Sequence, residues 1–202
     1  MKSNYLGQAW LVIVLSLVFG GALAAVQTTL SAKIEQNKLD DTLSQIPRLV
    51  PGAKTGQELE IGNKKVYRAM DEFGEQVGWV VPAKGQGFAD VITLLIGLDP
   101  NADQLTGLYV LEQKETPGLG SRIADRGTDE KKGFLWQFFY HGAKADRPLV
   151  VTKASPKMEE PGSENQIKAV SGATISSQSV CDIVNAAVKA MRKDLIAKAR
   201  KD

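Results

Sequence analysis

From Ser3 to Ala32 no side chain is charged, and the run from Ala9 to Val26, AWLVIVLSLVFGGALAAV, is almost wholly apolar. At about 1.5 Å per helical residue such a run can cross a hydrocarbon layer. In lipid a helix satisfies every backbone donor and acceptor within the segment. Residues 1–27 are therefore expected to form a transmembrane anchor, with Tyr5 and Trp10 suited to the interface. Ala22-Leu23-Ala24 also makes the A-x-A pattern a signal peptidase accepts, so a cleaved leader is a second reading of the same stretch. Both place the remainder of the chain outside the cytoplasm, on the periplasmic side of a cell inner membrane.

In the next stretch Leu30, Ile34, Leu39, Leu43 and Ile46 recur at roughly helical spacing, and Pro47, Pro51 and Gly52 are expected to end the helix. Residues 28–52 read as a helical stalk that docks on a domain formed by 53–202. Strand-like alternation then covers Glu58–Ile61, Lys64–Met70 after a Gly62-Asn63 turn, and Gln76–Val81. Asp90–Leu98 and Leu105–Glu112 are the strongest strand candidates, joined by the turn-forming DPNAD. Pro117 and its flanking glycines make ETPGLG, Glu115 to Gly120, a loop. Asp129–Tyr140 is expected to be a short aromatic helix, with Leu149–Val151 and Ile167–Val170 as further strands. In the last segment, Ile175–Ala199, Val180, Val184, Val188, Met191 and Leu195 mark the apolar face of an amphipathic helix. The class is α+β: an anchor and stalk, then one small antiparallel-sheet domain closed by a long carboxy-terminal helix.

Charge narrows the choice of partner. Twenty-five Lys and Arg against 23 Asp and Glu leave +2, without the basic stripe that nucleic-acid binding needs, so no nucleic-acid partner is expected. The single cysteine, Cys181, excludes an intrachain disulfide, a CxxC pair or a cysteine-ligated iron–sulfur cluster from this chain alone. The single histidine, His141, makes neither a metal site nor a charge relay and reads as a surface or capping residue. No catalytic residue and no metal site are expected.

One motif remains. SGATISS, Ser171 to Ser177, stands where a strand gives way to the terminal helix. Small residues there let backbone approach a ligand. The first amides of a helix have no intrahelical acceptor, and with the positive end of the dipole they stabilise a phosphate. A hydroxyl in the same place can hold the phosphate by a covalent bond, and Thr174 is the candidate. The same residues are also ordinary helix caps, and spacing alone does not choose between the two.

SGAT followed by further hydroxyls, ETPGLG some fifty residues earlier, and the apolar start together resemble a known family. It is the covalent FMN-binding domain shared by the G subunit of the Rnf electron-transport complex (RnfG/RsxG) and the C subunit of the sodium-pumping NADH:quinone reductase. The order of anchor, VPGA, ITLLIGLDP, LTGLYVLEQKETPGLG and SGATISS follows the Rnf protein, and so does the overall length. The resemblance implies a phosphoester between FMN and Thr174, made by a dedicated Mg-dependent flavin transferase, with Ser171, Gly172, Ala173, Ser176 and Ser177 around it. It further implies that Glu115, Thr116, Pro117, Gly118, Leu119 and Gly120 lie against the flavin, Thr116, Leu119 and Gly120 being the preferred ring contacts. One position departs from the family pattern: Lys168 stands three places before Ser171, where an acidic residue is common.

The implied function is electron relay in a membrane-bound, ion-translocating ferredoxin:NAD⁺ oxidoreductase complex, the chain turning over nothing by itself while partner subunits bring other centres. The C subunit of the NADH:quinone reductase, a membrane-anchored flavin sensor and a cofactor-free envelope scaffold are the alternatives. Cys181 lies two turns along from Thr174 and could approach the phosphate end, but a buried core thiol is the plainer expectation. Trp79, Trp136, Phe138 and Phe139 could wall a flavin and are by default core or interface residues.

Overall fold

The computed structural model describes residues 5–128, 132–157 and 159–199. The chain divides into two compact units, Met1–Asp41 and Thr42–Asp202. In the first, helix α1 begins, running over Tyr5–Leu49 as one continuous element. Its apolar side chains are turned outward: Leu11, Ile13, Leu15, Leu17, Phe19 and Leu23 are each more than half exposed. Apolar exposure on that scale marks a surface built for something other than water, and the helix is long and apolar enough to cross a membrane.

The second unit opens with the end of α1. Thr42, Ile46, Leu49 and Val50 are buried in it. Of the three residues expected to end the helix, Pro47 does not, since α1 runs through it to Leu49. Proline there costs one bond near a helix end, and Ile46 O still accepts from Val50 N at 3.1 Å. Pro51 and the left-handed Gly52, at φ 85, make the stop.

Five strands follow as an antiparallel meander in the order β1 to β5: β1 Thr55–Ile61, β2 Lys64–Met70, β3 Gln76–Gln86, β4 Val91–Leu98 and β5 Leu105–Glu112. β1 and β2 are joined through Gly62-Asn63, with Ile61 opposite Lys64. Between β4 and β5 the Asp99 carboxylate accepts from the amides of Asp103 and Gln104 at 2.6 and 2.8 Å, a side-chain mimic of a turn bond. Gly97 and Gly107 face each other across these two strands, and a Cβ on Gly97 would lie 2.6 Å from Leu49 O. Glycine is required for the end of α1 to pass this close. Thr106 Oγ1 secures the contact, donating to Leu49 O at 2.8 Å.

A 3-10 turn at Gly120–Ala124, the short helix α2 at Trp136–Tyr140, and a parallel pair of short strands, β6 Val150–Thr152 and β7 Gln166–Lys168, lead to helix α3, Thr174–Ala199. The aromatic helix is shorter than Asp129–Tyr140. Residues 129–131 lie outside the described residues, and Lys132 pairs with Gly127 in an isolated bridge. Gly133 N donates to Arg126 O and Leu135 N to Asp125 O, so the backbone before Trp136 is bonded across to another segment and not along a helix.

α3 lays Val180, Cys181, Val184, Val188, Met191 and Leu195 into the core with Trp79, Ile92, Leu94, Ile96, Leu98, Leu108 and Phe138. Its far end is tied down by Arg192, which donates to Ala102 O at 2.9 Å and pairs with Asp103 at 2.7 Å. The sheet and the core thereby fix where the first turn of α3 sits.

Candidate functional site

Gly172, in the left-handed region at φ 81, turns the chain out of the β7 connection, and Ala173 N donates to Val170 O at 2.9 Å as α3 begins. The hydroxyls that come next are not equivalent. Ser177 is fully buried: its Oγ accepts from Val170 N at 3.0 Å and donates to Ala173 O at 3.0 Å, closing the turn on itself. Ser176 is buried as well and donates to Glu115 Oε2 at 2.7 Å. Thr174 is exposed at the first helical position, and its hydroxyl has no hydrogen-bond partner among the described residues. Helix geometry leaves the amides of Thr174, Ile175 and Ser176 without intrahelical acceptors, so a free hydroxyl and free donors share one end of one helix.

Glu115 joins this turn to two others. Its carboxylate takes the Ser176 hydroxyl on one oxygen and Ala89 N, at 3.1 Å, on the other. Its own amide donates to Gln113 Oε1 at 2.7 Å. Gly120 leaves room for it, since a Cβ there would lie 2.7 Å from Glu115 Oε2 and 3.0 Å from Ser176 Oγ. The loop after β5, the turn after β3 and the start of α3 are thus held together at one buried carboxylate.

The three segments enclose a cleft of about 370 Å³ lined by Phe88, Glu115, Thr116, Leu119, Gly120 and Gly172 to Ser176. That volume is in the range of small-ligand and cofactor sites. Its rim is apolar and open: Phe88 is 62% exposed, Leu119 48% and Ile175 61%. A planar apolar group could lie against these side chains while an anionic group meets Thr174 and the helix amides. Leu119 also packs close to the chain reversal, since a Cβ on Gly172 would stand 3.2 Å from its Cδ2.

Of the residues singled out in the sequence, Glu115, Thr116, Leu119, Gly120, Gly172, Ala173, Thr174 and Ser176 line this cleft, whereas Pro117, Gly118, Ser171 and Ser177 do not. Pro117 and Gly118 are exposed at a turn tip that Gly118, at φ 77, carries away from it. Ser171 faces a neighbouring cavity of about 220 Å³ with Arg122, Lys132 and Lys168. Lys168 itself donates to Ser155 Oγ at 2.9 Å.

Trp79 is a core residue, its indole donating to Pro100 O at 3.1 Å, and Phe138 is core too. Trp136 stacks on Tyr140 under Lys132, and Phe139 lies under Arg126, so none of the four walls the cleft. Phe88 does. It is the residue that sequence reasoning passed over, although a single aromatic between Gly87 and Ala89 in a turn is the available signal. Cys181 is fully buried, and burial pushes its thiol up to about 12. His141 caps the end of α2; half-buried, it is held below the ordinary histidine range by desolvation.

Comparison with known proteins places these features in company. Residues 87–189 match the model of a family described as FMN-binding domain. The chain is 31% identical over 184 residues to the G subunit of the ion-translocating oxidoreductase complex of Methanosarcina acetivorans, covering 87% of this chain and 88% of that one. It is 26% identical over 195 residues to the G subunit of the Na⁺-translocating ferredoxin:NAD⁺ oxidoreductase complex of Acetobacterium woodii, covering 89% and 87% respectively. Among solved structures, NqrC of Shewanella oneidensis shares the fold with a TM-score of 0.55 at 22% identity, over 69% of this chain and 62% of that chain.

Proposed function

The chain belongs to the FMN-binding domain family, and on that premise we propose that it is the electron-carrier subunit of a membrane-bound, ion-translocating oxidoreductase complex of the Rnf ferredoxin:NAD⁺ type, with FMN joined through its phosphate to Thr174 Oγ1. The observation that carries the attachment site is the sorting of hydroxyls at the start of α3. Ser176 and Ser177 are buried and engaged, while Thr174 is exposed, unengaged among the described residues, and next to the helix amides.

Bound FMN supplies the chemistry of accepting and passing electrons. The residues supply its place. Thr174 replaces dissociable binding by a phosphoester, which suits a carrier outside the cytoplasm, where a lost flavin has no pool to replace it. The amides of the first turn and the helix dipole offset the phosphate charge. Leu119, Ile175 and Phe88 offer apolar surface to the ring system, with Thr116 and the backbone at Gly120 beside it. α1 anchors the domain to the membrane, and on this reading the domain stands on the extracytoplasmic side, within reach of the integral-membrane subunits of the complex. A Mg-dependent flavin transferase completes maturation.

Purification from native membranes tests this. Denatured chain is expected to fluoresce as flavoprotein in a gel, and native chain to co-purify with integral-membrane electron-transfer subunits. Fluorescent chain that comes out alone would instead fit a flavin sensor. Non-fluorescent chain made in the presence of its transferase would leave a scaffold.

A further inference from the structure

Glu115 is the only buried charged side chain among the described residues, 4% exposed, and it forms part of the wall of the cleft. No ion pair among the described residues involves it; the nearby Lys114 is spent on solvent-facing Asp90 at 3.2 Å. Its charge is met only by hydrogen bonds, from Ser176 Oγ at 2.7 Å and Ala89 N at 3.1 Å. Taking a carboxylate out of water is costly, and a glutamine or an apolar residue would close the same loop without that cost. A charge kept in such a place acts on whatever fills the cleft, and because the Glu115 side chain is itself buried it is screened less than a charge at the surface.

We infer that Glu115 sets the potential of the flavin in this cleft, its buried negative charge opposing the arrival of electrons and so lowering the midpoint. It is a positioning and tuning residue, touching Ser176 and the Ala89 turn and acting on the ring through its field. The inference rests on the reading that the cleft holds FMN on Thr174. By contrast Asp90, close in sequence to the same turn, is open to solvent and paired with Lys114, so its charge is screened.

The test is redox titration of full-length chain carrying flavin. Glu115→Gln keeps the shape and a hydrogen-bonding oxygen and removes the charge. It is expected to raise the midpoint by at least about 30 mV, a tenfold change in the two-electron equilibrium. Asp90→Asn, which removes the same formal charge from solvent, is expected to move it much less. Ser176→Ala leaves the charge and strips away a donor that partly offsets it, so its midpoint should fall below that of the unsubstituted protein. An unchanged midpoint in Glu115→Gln, or an equal rise in Asp90→Asn, overturns the inference. Should the glutamine variant fail to fold or to take up flavin, Ser176→Ala decides, and an unchanged or raised midpoint there overturns it as well. Failure of the underlying reading shows separately, as unsubstituted protein without covalent flavin.

Discussion

On the outward side of the first turn of α3, Thr174 and Ile175 are exposed and the Thr174 hydroxyl has no partner among the described residues; on the inward side Ser176 and Ser177 are buried and bonded to Glu115, Val170 and Ala173. The residue types are nearly the same and the fates opposite. Hydroxyls that complete a fold are removed from chemistry by the bonds they make. The Thr174 hydroxyl is left unengaged at a helix start, beside donors with nothing to bind, and the proposed attachment uses it. The inward side also explains how the outward side stays in place, because Glu115 and Ser176 tie the start of the helix to the two loops that form the cleft.

Substitutions on the two sides should therefore fail in different ways, and the largest effect belongs to the outward one. Thr174→Ala should eliminate covalent flavin while leaving stability within about 0.5 kcal/mol, as for a surface change that breaks no internal bond; flavin fluorescence in a denaturing gel and a urea melt read the two parts. Ser177→Ala should do the reverse, keeping the adduct and costing about 1–3 kcal/mol, because Val170 N would lose its buried acceptor. Gly172→Ala sits between them. An alanine at φ 81 pays about 1–2 kcal/mol in the left-handed region and presses on Leu119, so both stability and flavin loading should drop.

The smallest effect at ordinary pH lies further along the helix. Cys181 has its thiol raised from 9.0 to about 12 by burial, so the folded state favours the protonated form and the unfolded chain ionises first. Its stabilising contribution is complete below pH 9 and is lost as pH rises from 9 towards 12, by about 1.4 kcal/mol per unit. A thiol reagent at about pH 8, below that range, should label it only when the domain unfolds; fast labelling of folded protein would put it on the cleft side after all.

The sheet was legible because its strands alternate or run apolar between clear turn residues, and Lys64–Met70 and Leu105–Glu112 have the bounds expected of them. β3 runs on to Gln86 instead of stopping at Val81, because Pro82 lies past the end of the β2 pairing, where β3 has one neighbour and tolerates a missing donor. The parallel pairing of β6 with β7 depends on a long connection that no local pattern encodes. In the cleft, the motif positions could be named from the sequence. What could not be read there was direction: which of three nearby hydroxyls points out, or that Glu115 points in and bonds Ser176 across 61 positions of chain. Phe88 escaped for the same reason, since an aromatic in a turn declares its site only when the loops around it are assembled.

Peptide mass mapping of the chain taken from its own membranes, with the flavin transferase present, tests the attachment most directly. The peptide containing Ser171–Ser177 should carry the added mass of an FMN phosphoester, and fragmentation should put it on Thr174. An unmodified peptide, or the same mass on Ser171, Ser176 or Ser177, would contradict the assignment.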